Sequence, residues 1–183
     1  MKKIVALIVL FSIVVFAQQD GSFTDNRDGK TYKWVKIGTQ TWMAENLNYN
    51  AIRSGCYKND PANCQIYGNL YDQAMAQVIC PTGWHLPNNK EWEALIKTIG
   101  GKETAGKLLK ATSGWKSGNG TDTYGFNALP GGHGGGFGSG YNGNWWSANS
   151  ACYLHMNGDY EVVYAMTIWA AFSVRCLQNE QEN

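Results

Sequence analysis

One stretch of this chain limits how it can fold more than any other. In Cys80-Pro81-Thr82-Gly83-Trp84-His85-Leu86-Pro87 a short strand, Trp84-His85-Leu86, lies between the end of one helical pattern and the start of another. Upstream, Leu70, Ala74 and Val78, with Tyr71, Met75 and Ile79 beside them, make a helical stripe that ends at Cys80-Pro81. Downstream, Asn88 can cap a helix and Glu91 stands three residues on, as in a capping box. Trp92, Leu95, Ile96 and Ile99 then fall at i, i+3, i+4 and i+7 before Gly100-Gly101 ends the pattern. Far along the chain, Phe172-Ser173-Val174-Arg175-Cys176 reads as an apolar strand closing on a second cysteine. Helices and short strands in this order imply an α+β domain.

Other segments fill in the plan. Thr31 to Ile37 sets Tyr32, Trp34 or Val35, and Ile37 against lysines, and Gly38-Thr39 is a tight turn into Gln40 to Met43, which predicts a β-hairpin. Residues 48–69, rich in Asn, Gly and Tyr, read as a long connection. Lys102 to Lys110 predicts a shorter helix that buries Ala105, Leu108 and Leu109. After Thr112 the chain reads as loops and short strands: Gly125 to Leu129, Trp145 to Ala148, Cys152 to Met156, a turn at Asn157-Gly158-Asp159, Glu161 to Trp169, and Phe172 to Leu177.

Lys2 and Lys3, the apolar run Ile4 to Phe16, and small residues at Val15 and Ala17 predict a signal peptide, residues 1–17, cleaved after Ala17. The run is shorter than the ~20 apolar residues that span a bilayer, so no membrane span is expected after cleavage. No cysteine follows it, which argues against a lipoprotein. The chain holds 15 basic and 14 acidic residues, and cleavage removes two lysines. A nearly neutral domain has no electrostatic footprint for nucleic acid or an anionic membrane. Charged residues make up 16%, while 22 glycines and 8 tryptophans suggest a loop-rich domain on an aromatic core.

Six ordered blocks, DGKTYKWVKIG, WMAENLNY, CYKNDPANC, GWHLP, YGFNALPGG and FSVRC, resemble the Fibrobacter succinogenes major paralogous domain, a family found in large sets in fibre-degrading bacteria. The resemblance covers residues 25–178, leaving a short N-terminal segment, 18–24, and a tail, 179–183. It brings no biochemical activity with it. The element order is similar to that of the C-type-lectin-like fold, with short twisted antiparallel strands, two or three helices and a long loop region. In that fold a bridge joins the first helix to the last strand, the part Cys80 and Cys176 would play, worth about 4–5 kcal/mol in the chain-entropy model. Cys56 and Cys64 form a pair that recurs in the family. Cys152 is then left over, an odd thiol that is buried, reactive or intermolecular. Disulfides of this kind suit export.

Candidate chemistry is sparse. Gly138-Ser139-Gly140-Tyr141-Asn142-Gly143 matches GxGxxG, but Trp145 and Trp146 follow where a phosphate site needs a helix start. Asp25-Asn26-Arg27-Asp28-Gly29 looks like the start of a calcium loop, yet Val35 stands where a bidentate acid belongs, and a hairpin-entry turn is the better reading. Zinc-type C-x2-C or H-x3-H pairs are absent. His85, His133 and His155 are far apart in sequence; His85 is expected to be structural and His133 exposed. Glu45, Asp122, Asp159 and Glu161 could serve a glycosidase, but nothing singles out a facing pair; Glu93 sits on the second helix, and Glu91 is explained as a cap. Formylglycine-generating oxidases share a related fold but need two close cysteines, and Cys152 and Cys176 are far apart.

The most suggestive surface feature is Phe137, Tyr141, Asn142, Trp145 and Trp146, because aromatic faces stack on pyranose rings while amides supply hydrogen bonds. Trp145 and Trp146 should point to opposite faces of a strand, so at most one is expected to be free. The expectation is a secreted, periplasmic or surface-associated module without catalysis, metal or cofactor that binds polysaccharide or a cell-surface protein; the alternative is a structural or adhesive surface protein that binds protein partners, ahead of an enzyme related to the formylglycine-generating oxidases.

Overall fold

In the computed structural model, which describes residues 19–136, 138–149, 154–157 and 170–180, the lysine-alternating run becomes strand β2 (Thr31–Ile37). It turns at Gly38, whose φ is 61°, into β3 (Gln40–Met43), with Val35 opposite Trp42. Preceding it, β1 (Asp20–Thr24) pairs antiparallel with β2 from Asp20 opposite Val35 to Thr24 opposite Thr31. The segment read from sequence as a lead-in is therefore largely an edge strand. A Cβ on Gly21 would come within 2.6 Å of the Trp34 ring, so only glycine lets that indole lie over the strand.

The connection 48–69 is more structured than its composition suggests. It carries β4 (Ser54–Gly55) and a helix, α1 (Pro61–Tyr67), which Asp60 caps by accepting the Ala62 N–H, with Pro61 in the first turn. The predicted helical stripe from Leu70 is replaced by β5 (Leu70–Tyr71) and a four-residue α2 (Gln73–Ala76). Two causes act together. Leu70 and Tyr71 pair with a C-terminal strand, and Asp72 caps a new helix start by accepting the Met75 N–H; Val78 is left exposed. Next come β6 (Trp84–His85), α3 (Asn89–Thr98), with both hydrogen bonds of the capping box present, and α4 (Lys102–Leu109).

Beyond α4, β7 (Asn142–Trp145) starts earlier than predicted and pairs with β8 (Leu154–Asn157). Gly125 to Leu129 is a turn rather than a strand; a bridge between Ala128 and Lys110 is its one ladder contact among the described residues, and Phe126 and Ala128 enter the core. The predicted strand Phe172 to Leu177 divides into β9 (Phe172–Ser173) and β10 (Leu177–Gln178), which lie in different sheets. One sheet has the order β1-β2-β3-β10-β6 and the other β4-β5-β9-β7-β8; among the described strand pairs, isolated bridges aside, only β7 with β9 is parallel. The predicted strand from Glu161, the turn at Gly158, Cys152 and the signal segment lie outside the described residues.

Two apolar cores follow. Trp42, Trp92, Leu95, Leu109, Phe126 and Trp145 belong to one; Met43, Leu47, Tyr71, Trp84, Trp146 and Phe172 belong to the other. Disulfides join Cys56 to Cys64 and Cys80 to Cys176. Three motif blocks meet at Arg175, a guanidinium with no solvent exposure. Its Nε and Nη2 donate to Asn46 Oδ1 at 3.1 and 2.6 Å, its remaining donors reach the carbonyls of Met43, Phe126 and Asn127, and the Phe126 ring lies 4.5 Å beneath it. Burial pushes the Arg175 pKa down to about 9, against the pull of Glu45 and Asp122, so at neutral pH it is a buried cation. Asn46 Oδ1 also accepts Trp145 Nε1 at 2.8 Å, which binds the WMAENLNY block to the second sheet.

Candidate functional site

The aromatic cluster expected at the surface is mostly interior. Trp145 and Trp146 do point to opposite faces, but both faces are covered: Trp145 is in one core, and Trp146 in the other, with its Nε1 donating to the Tyr71 carbonyl at 2.7 Å. This corrects their assignment to a surface patch. Phe137 lies outside the described residues. Tyr141 alone is open, at 51% exposure, with Lys116 Nζ 4.5 Å from its ring centre, and Asn142 is half-buried beside it. The glycine loop beneath is fastened by Gly140 N–H to Pro130 O and Lys116 N–H to Gly140 O, and β7 rather than a helix follows it.

Other sequence candidates have structural partners. His85 bridges Asn179 Oδ1 and Glu91 Oε1 at 2.7 and 2.9 Å, while the second Glu91 oxygen accepts the Asn88 N–H. Asp25 is buried, and burial pushes its carboxyl up, but hydrogen bonds from Arg27 and its charge outweigh that and hold it below its ordinary value. The Asp25 to Gly29 stretch is the turn that enters β2. Burial raises Asp122, which accepts the Asn127 N–H at 2.7 Å. His155 contacts Asn144 Oδ1 at 2.6 Å, and burial, followed by the nearby His133, lowers its pKa. His133 is half-buried rather than exposed, with Nδ1 2.8 Å from the Gly134 carbonyl. Cys176 is held in its disulfide. Asp159 and Glu161 lie outside the described residues.

Sequence reasoning missed a pocket of about 300 Å³ directly over the Arg175 network. Glu45, Asn46 and Asn48 reach it from the segment after β3, Tyr67 from the end of α1, and Asn127 and Leu129 from the turn at 125–129. Its walls are fixed. Asn46 holds the Tyr67 carbonyl through Nδ2 at 2.9 Å, Asn48 Oδ1 accepts Asn69 Nδ2 at 2.8 Å, and Glu45 Oε2 accepts the Lys33 N–H at 2.9 Å. Gly68 closes α1 at φ 75°, where a Cβ would sit 2.8 Å from the Leu47 carbonyl.

Several polar groups at this pocket have no hydrogen-bond partner among the described residues: Glu45 Oε1, Asn48 Nδ2, the side-chain amide of Asn127 and the Tyr67 hydroxyl. Asn127 holds φ 52°, a left-handed conformation that asparagine tolerates better than most residues, because Asp122 takes its N–H and Arg175 its carbonyl. The signal for this pocket was present in the sequence as two asparagine-bearing blocks, WMAENLNY and YGFNALPGG; what sequence could not supply was their meeting.

Among the described residues no helix is long and apolar enough to cross a membrane. In comparison with known proteins, residues 35–178 match the family model described as the Fibrobacter succinogenes major domain. No curated protein and no solved structure matches the chain.

Proposed function

The chain belongs to the Fibrobacter succinogenes major domain family, and from that premise we propose that it is an exported, non-catalytic C-type-lectin-like module that binds neutral polysaccharide through the Tyr67 pocket. The observation that carries the reading is the set of unpartnered polar groups on Glu45, Asn48, Asn127 and Tyr67 around one rigid cavity. A sugar ring presents hydroxyls that donate and accept, together with an apolar face, and such a cavity offers amides, one carboxylate and a phenol ring in return. Its volume is at the lower end for ligand pockets, which fits one or two sugar units. Among the described residues only one carboxylate, Glu45, lines it, a composition that favours holding a saccharide over cleaving it. Export is supported by the two disulfides. The lectin-like assignment is supported by the bridge from the segment after α2 to the last strands.

Asn127→Gly tests the site, because it removes the amide while glycine accepts the left-handed backbone at least as well. Pull-down on insoluble glucan and xylan should fall several-fold with the melting curve unchanged, whereas Tyr141→Ala should leave binding intact. Binding should also change little with salt, since a neutral polymer carries no charge for Glu45 or Lys30 at the pocket to attract. Wild-type retention by neither polymer, or full retention of Asn127→Gly, would refute the pocket and favour a protein partner.

A further inference from the structure

The geometry points to a second binding site, a cleft of about 560 Å³ between the small disulfide loop and the glycine loop, that takes a carboxylate-bearing sugar unit of an acidic polysaccharide. This inference stands apart from the Tyr67 pocket and holds whether or not that pocket binds.

Lys58 and Asn59 form one wall, Gly134 to Gly136 the other, with Leu70 and Ala171 also lining the cleft. Lys58 and Asn59 sit consecutively at φ 55° and 56°. Two successive non-glycine residues in the left-handed region carry strain, which persists only where the surroundings enforce it and which gathers at functional sites. Here the enforcement is visible. The Cys56–Cys64 disulfide closes the loop, Asn63 Nδ2 donates to the Tyr57 carbonyl at 2.9 Å, and the Tyr57 hydroxyl crosses to the Gly136 carbonyl at 2.8 Å. On the glycine side, Gly134 N–H donates to the Ala171 carbonyl at 2.7 Å, and a Cβ on Gly134 would lie 2.9 Å from Ala171. The two walls are thus fixed to each other and to the sheet.

The chemistry of the cleft is asymmetric. Among the described residues Lys58 supplies its one charged side chain, no acidic residue lines it, and the Lys58 ammonium has no carboxylate partner. Beside it stand Asn59 and the glycine backbone; Gly134 and the Gly136 carbonyl are engaged in the hydrogen bonds above, so the Gly135 peptide and the Gly136 N–H are the glycine groups left to meet hydroxyls at close range, with no side chain intervening. One point-charge ammonium matches one negative charge. A phosphate dianion calls for several converging donors, so a ring carrying a carboxylate and hydroxyls is the ligand class that fits.

Lys58→Gly is the informative variant, since it deletes the charge and relieves the left-handed backbone together; the fold should survive. Binding to polygalacturonate, measured by affinity electrophoresis on the intact protein, should weaken about fivefold, the upper end for one solvent-accessible ion pair. Lys58→Arg should bind as wild type, and wild-type binding should fall as salt rises from about 0.05 to about 0.5 M. Methyl-esterified polygalacturonate should bind no better than the Lys58→Gly variant binds the acid form, and retention on neutral glucan should be the same for wild type and variant. Equal binding of ester and acid, an unaffected Lys58→Gly, or equally tight Lys58-dependent binding of dextran sulfate would overturn the assignment.

Discussion

Replacing Asn46 by alanine should damage this protein more than replacing Arg175, the charged residue it serves. Asn46 Oδ1 accepts three donors at 2.6, 2.8 and 3.1 Å, two from Arg175 and one from the Trp145 indole, and all are buried. A buried donor left without an acceptor costs about 1–3 kcal/mol, and stripping a buried charge of its partner costs about 3–5 kcal/mol. Arg175 would keep its three carbonyl acceptors, so the charge is only partly stripped and a loss of about 4 kcal/mol is expected. Arg175→Met removes the ion itself and leaves Asn46 bonded to Trp145. Its cost should be about 2–3 kcal/mol, because losing the ion ends its desolvation penalty but leaves the Phe126 and Asn127 carbonyls without that donor. The double variant should then lose less than the sum, with a coupling of about 1–3 kcal/mol. Urea unfolding followed by tryptophan fluorescence measures all three. The reasoning fails if Asn46→Ala costs under about 1 kcal/mol, or if the two changes simply add.

The disulfides should rank by loop length: with sequence separations of 96 and 8 residues, replacing Cys80 and Cys176 by serine should cost about 2 kcal/mol more than replacing Cys56 and Cys64, as urea midpoints will show. Acid should destabilise in two windows. His155, lowered from 6.5 in the folded state, is protonated first in the unfolded chain, so stability should drop as pH falls below 6.5; Asp25, held below 3.8, gives stability that is present above that pH and lost beneath it. Melts across pH 3–8 should lose the upper window in His155→Gln and keep the lower one.

Local signals in the sequence served well where elements are made by their own residues. The capping box at Asn88 and Glu91, the hairpin around Gly38 and the helix over 102–109 all stand where periodicity and turn chemistry put them. Reading failed where a distant strand decides. Leu70 and Tyr71 carry a helical period, but pairing with Phe172 and Ser173 draws them into a sheet. The Asp60-Pro61 start of α1 was a usable signal hidden by the polar composition around it. Trp145 and Trp146 misled for a different reason: alternation says that two neighbours face opposite ways, but not whether one face is water. The Tyr67 pocket was illegible because Glu45, Tyr67 and Asn127 are brought together by an arginine near the other end of the chain.

Residues 172–178 hold an unusual place in the topology. Among the described residues β10 is the only link between β3 and β6, and β9 the only link between β5 and β7. Take those seven residues away and each sheet falls into two pieces, one core loses Leu177, and the other loses Phe172 and Val174. A ribosome adding roughly 5–20 residues per second therefore builds nearly the whole domain before either sheet can close. Until then it offers only local hairpins and helices, which are marginal alone. Closure of both sheets waits for this segment, and Cys80 waits with them for Cys176. That delay would suit the export proposed above, and truncation before Phe172 is expected to be an all-or-none loss rather than a gradual one.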